Sequence, residues 1–250
     1  MSDHSPPQRP QLLVVMPVFN EEACVEQVVR AWFTTLDRTV GDFILLAISD
    51  GSTDATEESL TTLAEELGSR LEIHRHSNRG HGQTCIKGYV TGLERQIPHL
   101  LQIDSDGQSD PVHFPDFWEL RDQFDVIYGR RSRKDGLRRI IASRILRLAL
   151  KHFANVDCID ANVPYRLMNG AACAEAIRSI PRDFDLANVA LAVELRRRRS
   201  IRHGEVPIGF PPRLGGEPSV PFVKFALKAR ELLKQLDASG IADGTGRHIP

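Results

Sequence analysis

Apolar and polar positions along the chain come in alternating blocks. Leu12 to Val15 form an unbroken apolar run, the pattern of a strand buried on both faces, and the run closes on Pro17-Val18-Phe19-Asn20. Glu21 and Glu22 follow, acidic residues that suit a helix's first turn. Val25, Val28, Val29 and Phe33 then recur at helical spacing. The cycle repeats. Phe43 to Ile48 predict a second buried strand, ending at Asp50-Gly51-Ser52-Thr53-Asp54, and residues 54–67 a helix with Leu60, Leu63 and Leu67 inward. Leu71 to His74 predict a short strand, and Gly80-His81-Gly82 opens a helix reaching Leu93. Leu100 to Ile103 predict a fourth strand, ending at Asp104-Ser105-Asp106-Gly107-Gln108. A helix over 115–123 and a strand from Val126 to Tyr128 lead into Gly129-Arg130-Arg131. Beyond it the pattern predicts helices over 137–153 and 185–199, a strand from Ile201 to Phe210 and a closing helix over 222–236.

Strands alternating with helices across short loops predict parallel pairing and right-handed crossovers. The expected fold class is α/β, a Rossmann-like, doubly wound, mostly parallel sheet with a helical C-terminal region. Ligands of such sheets bind beyond the carboxyl ends of the strands. The polar clusters around Asn20, Asp50 and Asp104 all lie at those ends, so parallel strands would gather them into one crevice. The expected organisation is a disordered arm over 1–10, one domain over 11–236 in two halves (11–130 and 131–236) and a flexible tail over 237–250.

At 250 residues the chain is long enough for one large core. With 41% hydrophobic and 26% charged residues it reads as an ordinary soluble protein. A formal net charge of -1 gives no overall basic field, which argues against a nucleic-acid partner. Basic residues do concentrate at Arg130 to Lys151 and at Arg196 to Arg199, the latter run reading as solvated charge around its helix. Cys24, Cys85, Cys158 and Cys173 lack metal-ligand spacing and read as thiols in a reducing compartment. The polar, Pro-rich N-terminus is no signal peptide, and no apolar run is long enough to span a bilayer. A cytoplasmic location follows, with a peripheral place on the membrane's cytoplasmic face as a further expectation.

The chemistry concentrates at Asp104-x-Asp106. Two carboxylates after a buried strand repel unless a cation lies between them. A hard divalent ion, Mg²⁺ or Mn²⁺, takes such oxygen ligands and bridges to diphosphate oxygens. Gln108 offers a neutral oxygen. The same residues also suit a plain turn. Asp50-Gly51-Ser52-x-Asp54 reads two ways: Ser52 or Thr53 as a helix cap with Asp54 in the first turn, or Asp50 on a nucleobase N–H. Gly80-x-Gly82 reads as a loop, although a helix N-terminus there can approach a phosphate, and His81 reads as an ordinary loop histidine. Arg144, Arg147 and Lys151 share a stripe beside Ile141, Ile145 and Leu148, which suits a phosphate-bearing acceptor, an anionic membrane surface or a solvated face.

Taken in order, VVMPVFNEE (14–22), ISDGSTD (48–54), QIDSDGQSDP (102–111), IYGRRSRKDG (127–136), DANVPYRLM (160–168) and GEVPIGFPPR (204–213) resemble family 2 glycosyltransferases of the GT-A fold. Within that family the pattern is most similar to dolichyl- or polyprenyl-phosphate mannose or glucose synthases. The resemblance implies an inverting glycosyltransferase that moves a sugar from a GDP- or UDP-sugar to a polyprenyl phosphate. It implies donor contacts at Pro17, Phe19, Asn20, Glu21, Asp50, Gly82, Asp104 and Ser105, and a metal at Asp104, Asp106 and Gln108. Arg130 or Arg131, Arg144, Arg166 and Arg213 would face phosphates. Asp106, Asp160 and Arg166 would act at the reacting centre. The chain departs from the pattern at Ser49, where a second Asp is usual, at Ala161 to Pro164, and at Gly216-Glu217-Pro218-Ser219, which lacks the usual Lys.

A hydroxyl acceptor needs a general base, whereas a phosphate acceptor is already ionised and needs positioning and charge screening. Asp160 and Asp185 are the carboxylates available as a base. Plentiful arginines lean toward the phosphate acceptor. A hydroxyl of a small molecule or glycan, and a non-catalytic nucleotide-sugar-binding partner subunit, are the alternatives.

Overall fold

The computed structural model describes residues 10–131, 147–148, 150–151, 156–157, 161, 163–180, 187–209 and 211–215. Seven strands form one sheet: β1 (Leu12–Val18), β2 (Phe43–Asp50), β3 (Leu71–His76), β4 (His99–Gln102), β5 (Val126–Arg131), β6 (Arg166–Asn169) and β7 (His203–Ile208). Their order is β3-β2-β1-β4-β6-β5-β7. β1 is parallel to β2 and β4, and β2 to β3. β6 alone runs against its neighbours β4 and β5, and β7 again runs with β5. Strands β1 to β5 and β7 therefore all end at one edge.

The doubly wound expectation holds, with one antiparallel strand added. Chain order leaves β1 toward β2 and β3, then returns to β4 on β1's other side. That reversal is the switch point at which ligands bind in such sheets, and the loops after β1 and β4 flank it.

Every residue of β1 is buried, as its unbroken apolar run requires. Helix α1 (Val25–Thr39) covers it with Val25, Val28, Val29, Trp32, Phe33 and Leu36. α2 (Thr56–Leu67) follows β2, and α4 (Phe114–Leu120) brings Phe114 and Phe117 to the same layer. There Trp32 meets Phe114 and Tyr165 edge-on, and Phe117 stacks on Tyr165 with centroids 4.6 Å apart. The opposite layer holds α3 (His81–Glu94), α5 (Gly170–Ile177) and α6 (Ala187–Arg197).

Two glycines set how close α3 comes to the sheet. A Cβ on Gly88 would lie 2.2 Å from Val15 Cγ1, and one on Gly92 2.3 Å from Leu100 Cδ2. Bare backbone at both positions seats the helix over β1 and β4, which carries its first turn to the loop after β4.

The sequence pattern misses β6 and α5. β6 has four residues and begins on an arginine, so it lacks the length and apolar run that identify a strand. The Arg196–Arg199 run also differs from its reading as solvated charge. The side chains of Arg196, Arg197 and Arg198 are 24%, 19% and 23% exposed and pair with Glu205 and Glu194. The Arg196 guanidinium lies 5.0 Å from the Tyr128 ring centroid. The run turns with its helix onto the sheet, so that Arg196 meets Glu205 while Arg197 and Arg198 share Glu194. Residues 1–9, most of the expected helix over 137–153, and 216–250, which contain the expected closing helix, lie outside the described residues.

Candidate active site

The loops after β1 and β2 are locked together. The Asn20 N–H donates to Ser52 Oγ, and Asn20 Oδ1 accepts the Thr53 N–H over 2.8 Å. The Glu21 N–H donates to Thr56 Oγ1, and the Ala55 N–H to Glu22 Oε2. Asn20 reaches this position with φ 53, a conformation Asn tolerates better than most residues. Neither Ser52 nor Thr53 caps α2; Asp54 Oδ1 accepts the Thr56 N–H over 3.0 Å instead. Asp50 is buried, and its two oxygens accept the N–H groups of Arg79 and Gly80 over 2.7 and 2.9 Å. It anchors the loop that starts α3.

The β4 loop carries the two aspartates. Gly107 turns it at φ 80, Asp106 Oδ1 accepts the Gln108 N–H over 2.9 Å, and the Asp104 N–H donates to Ser109 Oγ. Ser105 is buried, and its carbonyl accepts the Cys24 thiol, which also donates to Glu21 Oε2 over 3.3 Å. Arg213 comes from the segment after β7. Its Nη2 stands 2.6 Å from Glu21 Oε1 and its Nη1 3.2 Å from Asp106 Oδ2. Glu21, Asp104, Asp106 and Arg213 thus meet at the switch point from three distant parts of the chain.

His81 belongs to this cluster. Its Nε2 lies 3.8 Å from Asp104 Oδ1, 3.5 Å from Cys85 Sγ and 3.4 Å from Asn188 Nδ2. Cys85 beside it and the carboxylates of Asp104 and Asp50 raise its pKa to about 10, against burial. Burial pushes the Asp104 carboxyl above its usual range, with His81, Arg213 and Arg131 opposing. Burial raises Glu21 as well, opposed by the Cys24 thiol and Arg213.

The remaining expected residues fall in several places. Phe19 is 43% exposed at the rim, Pro17 lies within β1, and Gly82 is buried in the first turn of α3. Arg130 and Arg131 alternate across β5. Arg131 is near enough to act on Asp104, whereas Arg130 points toward Glu205 with 3.9 Å between them. Arg166 is fully buried and turned into the core. Its Nη2 donates to the carbonyls of Ala161, Val163 and Asn188, and its guanidinium lies 5.2 Å from the Tyr128 ring centroid. Its Nε and Nη1 have no hydrogen-bond partner among the described residues. Arg147 pairs through Nη2 with Asp157 over 2.8 Å. Asp160, Arg144 and Asp185 lie outside the described residues.

The donor set fits a hard divalent ion. Asp104 Oδ1 is a buried acceptor with no hydrogen-bond partner among the described residues, and Asp106 follows two positions later. No group of three or more His, Cys, Asp or Glu side chains placed to hold a metal occurs among the described residues. Two carboxylates therefore suit an ion that takes its other oxygens from a bound diphosphate and water, the usual way Mg²⁺ is held. Gln108 Nε2 donates to the Pro211 carbonyl over 3.0 Å.

Two participants escape the sequence reading. His81 reads locally as a loop residue, whereas the helical glycines four apart, Gly88 and Gly92, signal that its helix presses on the sheet. Asn188 had no local sign at all.

The model of the family described as Glycosyl transferase family 2 matches residues 13–176. Over 141 residues the chain is 29% identical to undecaprenyl-phosphate 4-deoxy-4-formamido-L-arabinose transferase of Salmonella choleraesuis (strain SC-B67), covering 55% of this chain and 42% of that protein. Over 124 residues it is 30% identical to undecaprenyl-phosphate mannosyltransferase of Micrococcus luteus, covering 48% of each. The match thus spans about half the length of these curated relatives. Among solved structures, glucosyl-3-phosphoglycerate synthase from Mycobacterium tuberculosis, in complex with Mn²⁺, UDP and glucosyl-3-phosphoglycerate, aligns with a TM-score of 0.69 at 15% identity, covering 94% of this chain and 80% of that one. The same enzyme with Mg²⁺ and UDP aligns with a TM-score of 0.63 at 17% identity, covering 94% and 80%. At such identity the likeness is one of fold. With the family model spanning more than half of its length, the chain belongs to glycosyl transferase family 2 and has the GT-A fold.

Proposed function

We propose that this chain is an inverting, metal-assisted transferase that moves a sugar from a nucleotide-sugar to a polyprenyl phosphate. The observation that carries the donor half is the pair Asp104 and Asp106 at the switch point, with Asp104 Oδ1 unpartnered and Arg213 and Arg131 close by. In this reading Asp104 and Asp106 hold a divalent ion, with Gln108 beside them. A bound ion supplies neutralisation of the charge that develops on the departing nucleoside diphosphate. Arg131 and Arg213 add positive charge on the same side. His81 holds the Asp104 carboxylate toward the crevice. Asn20, Phe19 and Asp50 line the nucleoside end.

In transfer, an acceptor phosphate oxygen forms a bond to the anomeric carbon as the bond from that carbon to the diphosphate oxygen breaks. The electron pair leaves with the nucleoside diphosphate, and an ionised phosphate has no proton to lose, so no general base is needed. Support for this acceptor comes from the curated relatives, both undecaprenyl-phosphate sugar transferases by name. Leu148 is 66% exposed beside Arg147, which suits a surface near lipid headgroups. No helix among the described residues is long and apolar enough to cross a membrane.

The test is a thermal-shift panel of UDP-, GDP- and TDP-sugars with Mn²⁺, followed by product analysis with a short-chain polyprenyl phosphate. Sugar appearing on the lipid phosphate with inverted anomeric configuration is expected. Transfer only to sugar or small-molecule hydroxyls removes the lipid acceptor and keeps the donor half. No donor turnover with any acceptor removes the enzyme reading.

A further inference from the structure

Residues 211–215 are strapped over the Asp106 loop, and their contacts gather around Asp106 and its neighbours. Gln108 Nε2 donates to the Pro211 carbonyl, and the Leu214 N–H donates to the Asp106 carbonyl over 3.0 Å. Leu214 fills the space a side chain on Gly107 would need, its Cδ1 2.5 Å from a Cβ placed there. Gly215 rests on Ala23 and Cys24. Between these anchors the Arg213 guanidinium bridges Asp106 and Glu21, and its Nε donates to the Gly215 carbonyl.

Apolar burial does not account for the strap's position, because Leu214 remains 51% exposed. Charge does. Glu21 and Asp106 are both nearly buried, and two carboxylates in such a setting need a cation between them. Arg213 is the cation that both of them meet. Asp106 is also one of the two carboxylates assigned above to a divalent ion. Its Oδ1 accepts the Gln108 N–H and its Oδ2 faces Arg213, so an arriving ion finds both oxygens engaged.

We infer that Arg213 is a resident counter-cation for Asp106, held there by Glu21, and that a divalent ion loads by displacing it and releasing the strap. The inference rests on the metal-assisted reading of the site. It makes Glu21 a positioning residue that acts through Arg213, where the family resemblance gives it to the nucleoside. It also links ion loading to phosphate binding, because a guanidinium displaced from Asp106 becomes available to the donor diphosphate.

The test titrates the full chain and its Arg213→Gln variant with Mn²⁺ alone, following the free-ion paramagnetic resonance signal, with no donor present. Competition for one carboxylate predicts binding at least about fivefold tighter in the variant. Removing a nearby charge would by itself tighten Mn²⁺ binding, so a second readout is needed. Hydrogen–deuterium exchange of the wild-type chain should show the Leu214 amide exchanging faster once Mn²⁺ is added. The inference is overturned if Mn²⁺ binds the wild-type chain while Leu214 keeps or gains protection. It is equally overturned if the variant's Mn²⁺ affinity stays within about twofold of wild type. Nucleotide-sugar binding that needs Mn²⁺ while Leu214 stays protected leaves the donor reading standing and removes this inference alone. Nucleotide-sugar binding that is indifferent to Mn²⁺ removes the metal reading and this inference together.

Discussion

His81 Nε2 stands 3.8 Å from Asp104 Oδ1, although the two residues come from different strand–helix units. The imidazole is thus a polar neighbour of an oxygen that has no hydrogen-bond partner among the described residues. Replacing it with Leu should lower kcat/KM for the donor about 10²-fold, the size of effect seen when a preorganised polar group at a reacting centre is lost. The thermal midpoint should barely change, because the ring is half-exposed. Steady-state kinetics alongside a melting curve separate the two, and a kcat/KM close to wild type would remove His81 from the machinery.

Asp104→Asn and Asp106→Asn should each abolish metal-dependent turnover, and the two should differ in stability. Asp104 Oδ1 has no hydrogen bond to lose, its approach to His81 Nε2 being 3.8 Å, so its amide is expected to fold about as well as wild type, since burial disfavours the charged carboxylate. Asp106 loses its attraction to Arg213, and its amide should unfold at lower urea. Equal urea midpoints for the two variants would contradict this.

Asp125 should make stability fall in acid. Hydrogen bonds from the Arg202 side chain lead in holding its carboxyl below the usual range, aided by the Arg202 backbone and Asn169, against burial. A depressed folded-state pKa contributes stability above the unfolded value of about 3.9, and that contribution is lost as pH falls through the folded value. Asp125→Asn should therefore cost about 1–2 kcal/mol at pH 7 and nearly nothing at a pH below the folded value. Denaturant titrations across that range check it; a gap that persists undiminished in acid would contradict it.

Gly88→Ala should destabilise by about 1–3 kcal/mol, the range for overpacking a close-packed interior. The new Cβ would collide with Val15 Cγ1. Because α3 carries His81 to Asp104, donor affinity should fall as well. Unfolding and donor-binding measurements on one preparation test both, and an unchanged midpoint would mean that the helix yields freely.

Much of the site's scaffold is legible along the chain. Unbroken apolar runs between short polar loops specify parallel strands buried on both faces, and the loop at a strand end is then where ligand chemistry must lie. Asp104, Asp106, Asp50 and Asn20 are picked out this way as candidates. The burial of Arg166 is not legible, because nothing local separates a phosphate-facing arginine from one whose guanidinium is held by core carbonyls and the Tyr128 ring. Glu21 and Arg213 are 192 positions apart, and no spacing rule joins them.

The α/β class, the parallel strands and the carboxylates at their ends follow from the order of residues, because burial and helical periodicity act over neighbouring positions. Which charges meet follows from the folded chain alone. An antiparallel β6 buried Arg166, and Gly88 and Gly92 let α3 bring His81 to Asp104. The return of the chain after β7 set Arg213 against Glu21 and Asp106. Those pairings depend on where separate elements end in space, which depends on packing across the whole sheet.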